Sequence, residues 1–122
     1  QRLIEGGWLK KLKKRKIEVH ARSIFLQGIL LLKHNKLPKK LKKLKKKWII
    51  WENWLKKNKV GPLQACLSLV SNQNQLSGIV IGYNSKNQLN EILKLNHAKS
   101  NLLIPNLNIK NRKLIDPRKW IN

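Results

Sequence analysis

The stretch from Leu76 to Ile92 constrains the fold more than any other part of the chain. Leu76-Ser77-Gly78 runs into Ile79-Val80-Ile81, a short β-branched strand of the kind buried on both faces. Gly82-Tyr83-Asn84 leaves it. Ser85-Lys86-Asn87-Gln88 then has the form of a capping box, Ser at the N-cap and Gln three residues on. Leu89, Ile92 and Leu93 take up helical spacing from there. A strand that turns through glycine into a capped helix is an α/β unit, and such units feed a parallel sheet.

The rest of the chain repeats the theme. Leu3, Ile4, Trp8, Leu9 and Leu12 recur at helical spacings over Leu3 to Lys16, with lysines on the other face and Gly6-Gly7 weakening the start. The period then drops to two. Ile17, Val19 and Ala21 alternate with Glu18, His20 and Arg22, which predicts a strand over 17–22. Ser23 to Gly28 carries the chain out of it, and Ile29 to Leu32 is an apolar run. Leu37-Pro38 opens the longest predicted helix, in which Leu37, Leu41, Leu44, Trp48, Trp51 and Leu55 follow one another at spacings of four and three. A basic helix with tryptophans suits either a membrane surface or a core with a lysine-covered outer face. Glu52, Asn53 and the helix that follows from Pro62 favour the core. Leu63, Cys66, Leu67 and Val70 form the stripe of that next helix, so Cys66 reads as a buried structural thiol. Residues 100–122 read as an irregular tail, with Pro117 ending regular structure.

Charge is the other strong feature. Lys and Arg number 28 against 5 acids, a formal net charge of +23, and twenty of the basic residues lie in the first 60 positions. Such a surface holds polyanions nonspecifically at low salt, and a cationic helical module binding nucleic acid or anionic membrane through Lys39 to Lys47 is the alternative reading of function. The longest apolar runs, Ile29–Leu32 and Trp48–Trp51, are far shorter than the ~18 to 20 residues of a membrane span. A lone cysteine and the lack of a leader-like segment suggest a reducing, cytoplasmic setting. Three scattered histidines give no metal-ligand spacing. The acids are far apart, so no paired carboxylates and no Ser-His-Asp arrangement stand ready for proton transfer. No catalytic residue is expected within the chain, and the opening Gln1-Arg2 in mid-pattern suggests a segment of something longer.

What chemistry remains is anion binding at strand ends. The helix after Ser85 offers free N–H groups and the positive end of its dipole, and Lys86 adds a cation. Arg22 and Ser23 offer a guanidinium and a hydroxyl at the other strand end.

Specific strings carry a resemblance. Arg22-Ser23-Ile24-Phe25-Leu26-Gln27-Gly28-Ile29-Leu30-Leu31 resembles the seventh-strand segment of aldo/keto reductases. Ile79-Val80-Ile81-Gly82-Tyr83-Asn84-Ser85, with Gln88-Leu89-Asn90-Glu91-Ile92, is similar to their eighth strand and the loop and helix that follow. Pro62-Leu63-Gln64-Ala65-Cys66-Leu67 resembles the intervening helix, and Leu114-Ile115-Asp116-Pro117-Arg118-Lys119-Trp120 the C-terminus of a bacterial subgroup. The resemblance spans essentially all of residues 1–122. It implies the C-terminal portion of a (β/α)8 TIM barrel, incomplete, with strands seven and eight and their flanking helices. It implies reduction of a carbonyl substrate by hydride from NADP or NAD in the reduced form. Ser23, Phe25, Gln27 and Gly28 would lie along the pyrophosphate and ribose of the cofactor. Gly82, Tyr83, Asn84, Ser85, Gln88 and Glu91 would surround its adenosine end. The family's catalytic Asp, Tyr, Lys and His come from the N-terminal half of the barrel, a missing partner for this segment, which is expected to be inactive alone. Tyr83 falls in the adenosine loop and does not stand for the catalytic tyrosine. Ile92, where the family often has Asn, and Gln88, where strongly NADP-selective members have Arg, leave the choice of dinucleotide open.

Overall fold

A computed structural model describes residues 6–96, 102–103, 105–109 and 111–120. The chain divides into two compact units, Gln1–Ile24 with Leu67–Asn101 and Phe25–Cys66 with Leu102–Asn122. In chain order the elements are α1 (Trp8–Lys14), β1 (His20–Arg22), α2 (Lys45–Asn58), α3 (Pro62–Ser71), β2 (Gly78–Val80), α4 (Lys86–Asn96) and the single turn α5 (Arg112–Ile115). The boundary between the units falls within α3.

The first unit is built on a parallel pair. His20, Ala21 and Arg22 of β1 lie opposite Gly78, Ile79 and Val80 of β2. The pairing begins one step earlier, where Ser77 donates from its backbone N–H to the Val19 carbonyl at 2.8 Å and the Val19 N–H donates to the Ser77 hydroxyl at 3.2 Å. Gly78 leaves room for the His20 ring at this register. A Cβ there would stand 2.9 Å from Nδ1 of the His20 ring, which lies across it. The expectation that residues 79–81 form a strand buried on both faces is corrected. Val80 is 60% exposed, and Ile79 and Ile81 are half-buried. Among the described residues the sheet has two strands, and the face that carries Val80 is left open to solvent. The strand at 17–22 is shorter than its alternation predicts, because Ile17 and Glu18 sit outside the ladder and are exposed.

α1 is also shorter than predicted. Gly6 and Gly7 form a turn, Gly7 with φ 67°, and the helix starts at Trp8; the residues from Leu3 to Glu5 lie outside the described ones. Its end is a Schellman motif: Lys16 N–H donates to the Lys13 carbonyl, Ile17 N–H to the Leu12 carbonyl, and Lys16 adopts φ 55°. Leu9 is buried and the lysines are exposed, as the spacing requires. Leu67, Ser68 and Ile92 are likewise buried, in α3 and α4.

The second unit has its own core of Ile29, Leu37, Leu41, Leu44 and Trp48, with Leu30, Leu32, Ile109, Leu114 and Trp120 packed against it. The tryptophan stripe is therefore spent inside the unit. Trp51 is buried, donates from Nε1 to the Leu30 carbonyl at 3.1 Å, and stacks on Trp54 with ring centroids 5.5 Å apart. Trp54 in turn donates to the Leu103 carbonyl at 3.0 Å.

The long helix is corrected in one respect. Residues Lys39–Leu44 form a 3-10 helix behind Pro38, and the α-helix begins only at Lys45. Leu41 and Leu44, three apart, both face the core at 1% and 6% exposure, and a helix of three residues per turn stacks them one above the other. α2 closes with a second Schellman motif, Lys59 N–H to Lys56 carbonyl and Val60 N–H to Leu55 carbonyl, with Lys59 at φ 53°. The tail is not wholly irregular either. Asn111 caps α5 through its side chain, which accepts from the Lys113 N–H at 3.0 Å. Pro117 then opens a 3-10 turn to Lys119.

Candidate anion-binding site

Parallel strands end on the same edge. Because Arg22 lies opposite Val80, the chain leaves β1 through Ser23 and β2 through Ile81 and Gly82 side by side, within the first unit. α4 begins a few residues further, and its N-terminus is built as the sequence predicts. The Gln88 N–H donates to the Ser85 hydroxyl at 3.2 Å. The Gln88 side chain reaches back one residue beyond the N-cap that a capping box would engage, its Oε1 accepting from the Asn84 N–H at 2.8 Å. Two donors are thereby satisfied, whereas the N–H groups of Lys86 and Asn87, in the first turn, have no intrahelical acceptor. No acidic residue stands in that turn, so the positive end of the dipole is left uncompensated by a side chain.

The residues expected to meet a ligand in this unit are accessible. Arg22, Ser23, Gly82, Tyr83, Asn84, Ser85, Lys86 and Glu91 are all exposed, and Gln88 is half-buried. Ser23 holds φ 57°, a left-handed conformation rare for a residue with a Cβ. The start of α4 provides two backbone donors beside the Ser85 hydroxyl and the exposed Lys86, and Arg22 and Ser23 stand where β1 leaves the pair. Such a helix start suits a phosphate, because each N–H can donate to a separate oxygen while Lys86 supplies charge.

The remaining candidates, Phe25, Gln27 and Gly28, belong to the second unit. Phe25 is buried, so its ring serves the interior rather than a ligand. Its carbonyl accepts from the Leu30 N–H at 3.2 Å. Leu26, Gln27 and Gly28 run consecutively in the left-handed region, at φ 49°, 56° and 79°. Gly28 tolerates this; Leu26 and Gln27 each carry a conformational cost of about 1 kcal/mol. Only Gly28 signals the turn in the sequence, and nothing in Leu26 or Gln27 marks them for it.

Cys66 is buried, and burial pushes its thiol up to about 12, so at neutral pH it is a packed, protonated group. Glu52 and His34 form a pair that the sequence reading did not find. The His34 N–H donates to one Glu52 oxygen, and Nδ1 of His34 lies 2.8 Å from the other. Partial burial works against ionisation of Glu52 most strongly. The hydrogen bonds from the His34 ring and backbone and the positive charges of His34 and Lys56 together outweigh it, and hold the carboxyl below its usual range. Among the described residues no three His, Cys, Asp or Glu side chains gather as a metal site, and no helix is long and apolar enough to cross a membrane. Comparison with family models, curated proteins and solved structures finds no match to this chain.

Proposed function

We propose that this chain is the C-terminal, cofactor-binding segment of an aldo/keto reductase, which reduces a carbonyl substrate by hydride transfer from NADPH or NADH. One observation carries the reading: β1 and β2 pair in parallel, so that Ser23 and the Gly82–Ser85 loop leave the same end of the pair, and that loop leads into the N-terminus of α4. The strings that resemble the family's seventh and eighth strands are the two that pair. In parallel α/β proteins ligands sit at the carboxyl ends of strands, and a dinucleotide phosphate matches the donors there. Ser85, Lys86 and Asn87 would hold the phosphate at the adenosine end. Tyr83, Asn84, Gln88 and Glu91 would flank the adenosine itself, and Ser23 would run along the pyrophosphate. The nicotinamide supplies the hydride. The Asp, Tyr, Lys and His that handle the carbonyl proton would come from the N-terminal half of the barrel, whose strands would also pair with the open edges of this sheet.

The test is titration of the protein carrying this segment with NADPH, with NADH and ATP as comparators, for the natural sequence and for Ser85→Asp and Ser85→Ala. An aspartate beside the phosphate is expected to weaken NADPH at least tenfold, while alanine changes it far less. Equal binding by natural and Ser85→Asp protein would remove the adenosine-phosphate assignment and the reading with it.

A further inference from the structure

Beyond the cofactor edge, and independent of it, the second unit carries a surface that the 3-10 conformation organises. The string from Lys39 to Lys46 reads Lys-Lys-Leu-Lys-Lys-Leu-Lys-Lys, a period of three. In an α-helix a period of three drifts round the axis by about 60° per repeat, scattering the lysines. A 3-10 helix has three residues per turn, so positions i and i+3 eclipse, and Lys39–Leu44 is 3-10. The leucines then form one column, turned inward and buried. Lys39 and Lys42 form a second column and Lys40 and Lys43 a third, Lys45 and Lys46 follow them in the first turn of α2, and all six are exposed. Lys40 is tethered at the side by a 3.4 Å bond from Nζ to the Trp120 carbonyl. Steps along each column are about 6 Å. The unit's carboxylates are Glu52, engaged by His34, and Asp116, which lies in the tail beyond α5.

We propose that this lysine ladder docks on the phosphate backbone of double-stranded nucleic acid without regard to base sequence. Each strand of a duplex offers a phosphate about every 3.4 Å of axis while winding round it, so the through-space steps along a strand are longer than that rise, and flexible lysine stems let a ladder of about 6 Å follow them. The apolar partners that a membrane-surface helix would insert are in use elsewhere: Leu41, Leu44, Trp48 and Trp51 are buried, and Trp54 is stacked and hydrogen-bonded. Among the described residues of this unit the exposed large apolar side chains are Ile49, Ile50 and Leu103. The same burial removes the aromatic platforms on which unpaired bases would stack, which favours a duplex over a single strand.

The experiment follows a labelled duplex by fluorescence anisotropy as the full chain is added, between about 50 and 200 mM salt. Replacing Lys39, Lys42 and Lys45 together by Gln should weaken low-salt binding more than tenfold and reduce the salt slope by about 2.7, at about 0.9 per lost phosphate contact. Replacing Lys56, Lys57 and Lys59 by Gln removes the same charge from the same unit and should cost clearly less. Arginine at 39, 42 and 45 should retain binding, which shows that the Gln loss is one of charge placement. Equal losses for the two Gln triples would overturn the proposal, since charge alone would then explain binding. Stronger competition by an unpaired strand of equal length, or by phosphatidylserine vesicles, would overturn it in favour of the other polyanion.

Discussion

Replacing Lys59 by Gly should stabilise this protein, although it deletes a charged side chain and adds a residue that is poor in helices. Lys59 is the residue after α2, held at φ 53° by two Schellman hydrogen bonds. A left-handed conformation costs a residue with a Cβ about 1–2 kcal/mol. Glycine is free of that cost but loses about 0.5–1 kcal/mol more in chain entropy on folding, leaving a net gain of roughly 0.5–1 kcal/mol. Lys59 is exposed, so little packing is lost with it. Urea unfolding is the assay, followed by tryptophan fluorescence, which reports mainly on the second unit because Trp48, Trp51, Trp54 and Trp120 all belong to it. With a slope of about 2 kcal/mol/M, the midpoint should rise by roughly 0.3–0.5 M. Lys59→Ala is the control, since it removes the same charge and the same favourable contact with the helix dipole but keeps the Cβ. If Lys59→Gly unfolds at or below the midpoint of Lys59→Ala, the backbone argument is wrong. The same substitution at Lys16, which closes α1 in the same way, should give a gain of similar size.

Trp48 and Trp51 are equally buried, but only Trp51 has a partner for its indole N–H, whereas the Trp48 Nε1 has none. Trp51→Phe should therefore cost about 1 kcal/mol more than Trp48→Phe in the same urea assay, because it leaves the Leu30 carbonyl without its donor; equal costs would deny the bond any net value. Cys66 should resist thiol reagents at pH 8 in the folded chain and react fully in denaturant. Its raised value adds a pH dependence: the unfolded thiol ionises near 9.0 and the folded one near 12, so this contribution is complete below pH 9 and is lost as pH rises toward 12. Glu52→Gln should destabilise at neutral pH by about 1 kcal/mol. Because the Glu52 carboxyl is held below its ordinary 4.5, its contribution is present above that value and lost as pH falls through it, so the two proteins should converge in stability in acid; a constant difference across that range would show that the charge is irrelevant.

Much of this architecture could be read from residues alone. The stripe Leu37, Leu41, Leu44, Trp48 and Trp51 sorts inside from outside whatever the helix type, because spacings of three and four both bring residues to one face. The Ser85-Gln88 box identified the start of α4, since capping is local and its partners lie three residues apart. The alternation over 17–22 and the β-branched run at 79–81 identified both strands. Tertiary structure decided the rest. Nothing in either strand specifies its partner, so the parallel register of Arg22 with Val80, and with it the shared edge that the candidate site needs, comes only from long-range pairing. The exposure of Val80 follows from what packs on its face of the sheet, which a strand's own sequence does not encode. Lys39–Leu44 is 3-10 rather than α, a choice that spacings compatible with either helix do not specify. His34 and Glu52 meet across 18 positions, and the left-handed turns at Lys16, Leu26, Gln27 and Lys59 are imposed on residues with no preference for them. Local chemistry determined where helices and strands begin and which faces are apolar; contacts distant in sequence determined what pairs, what stays exposed and where the backbone bends against its own preference.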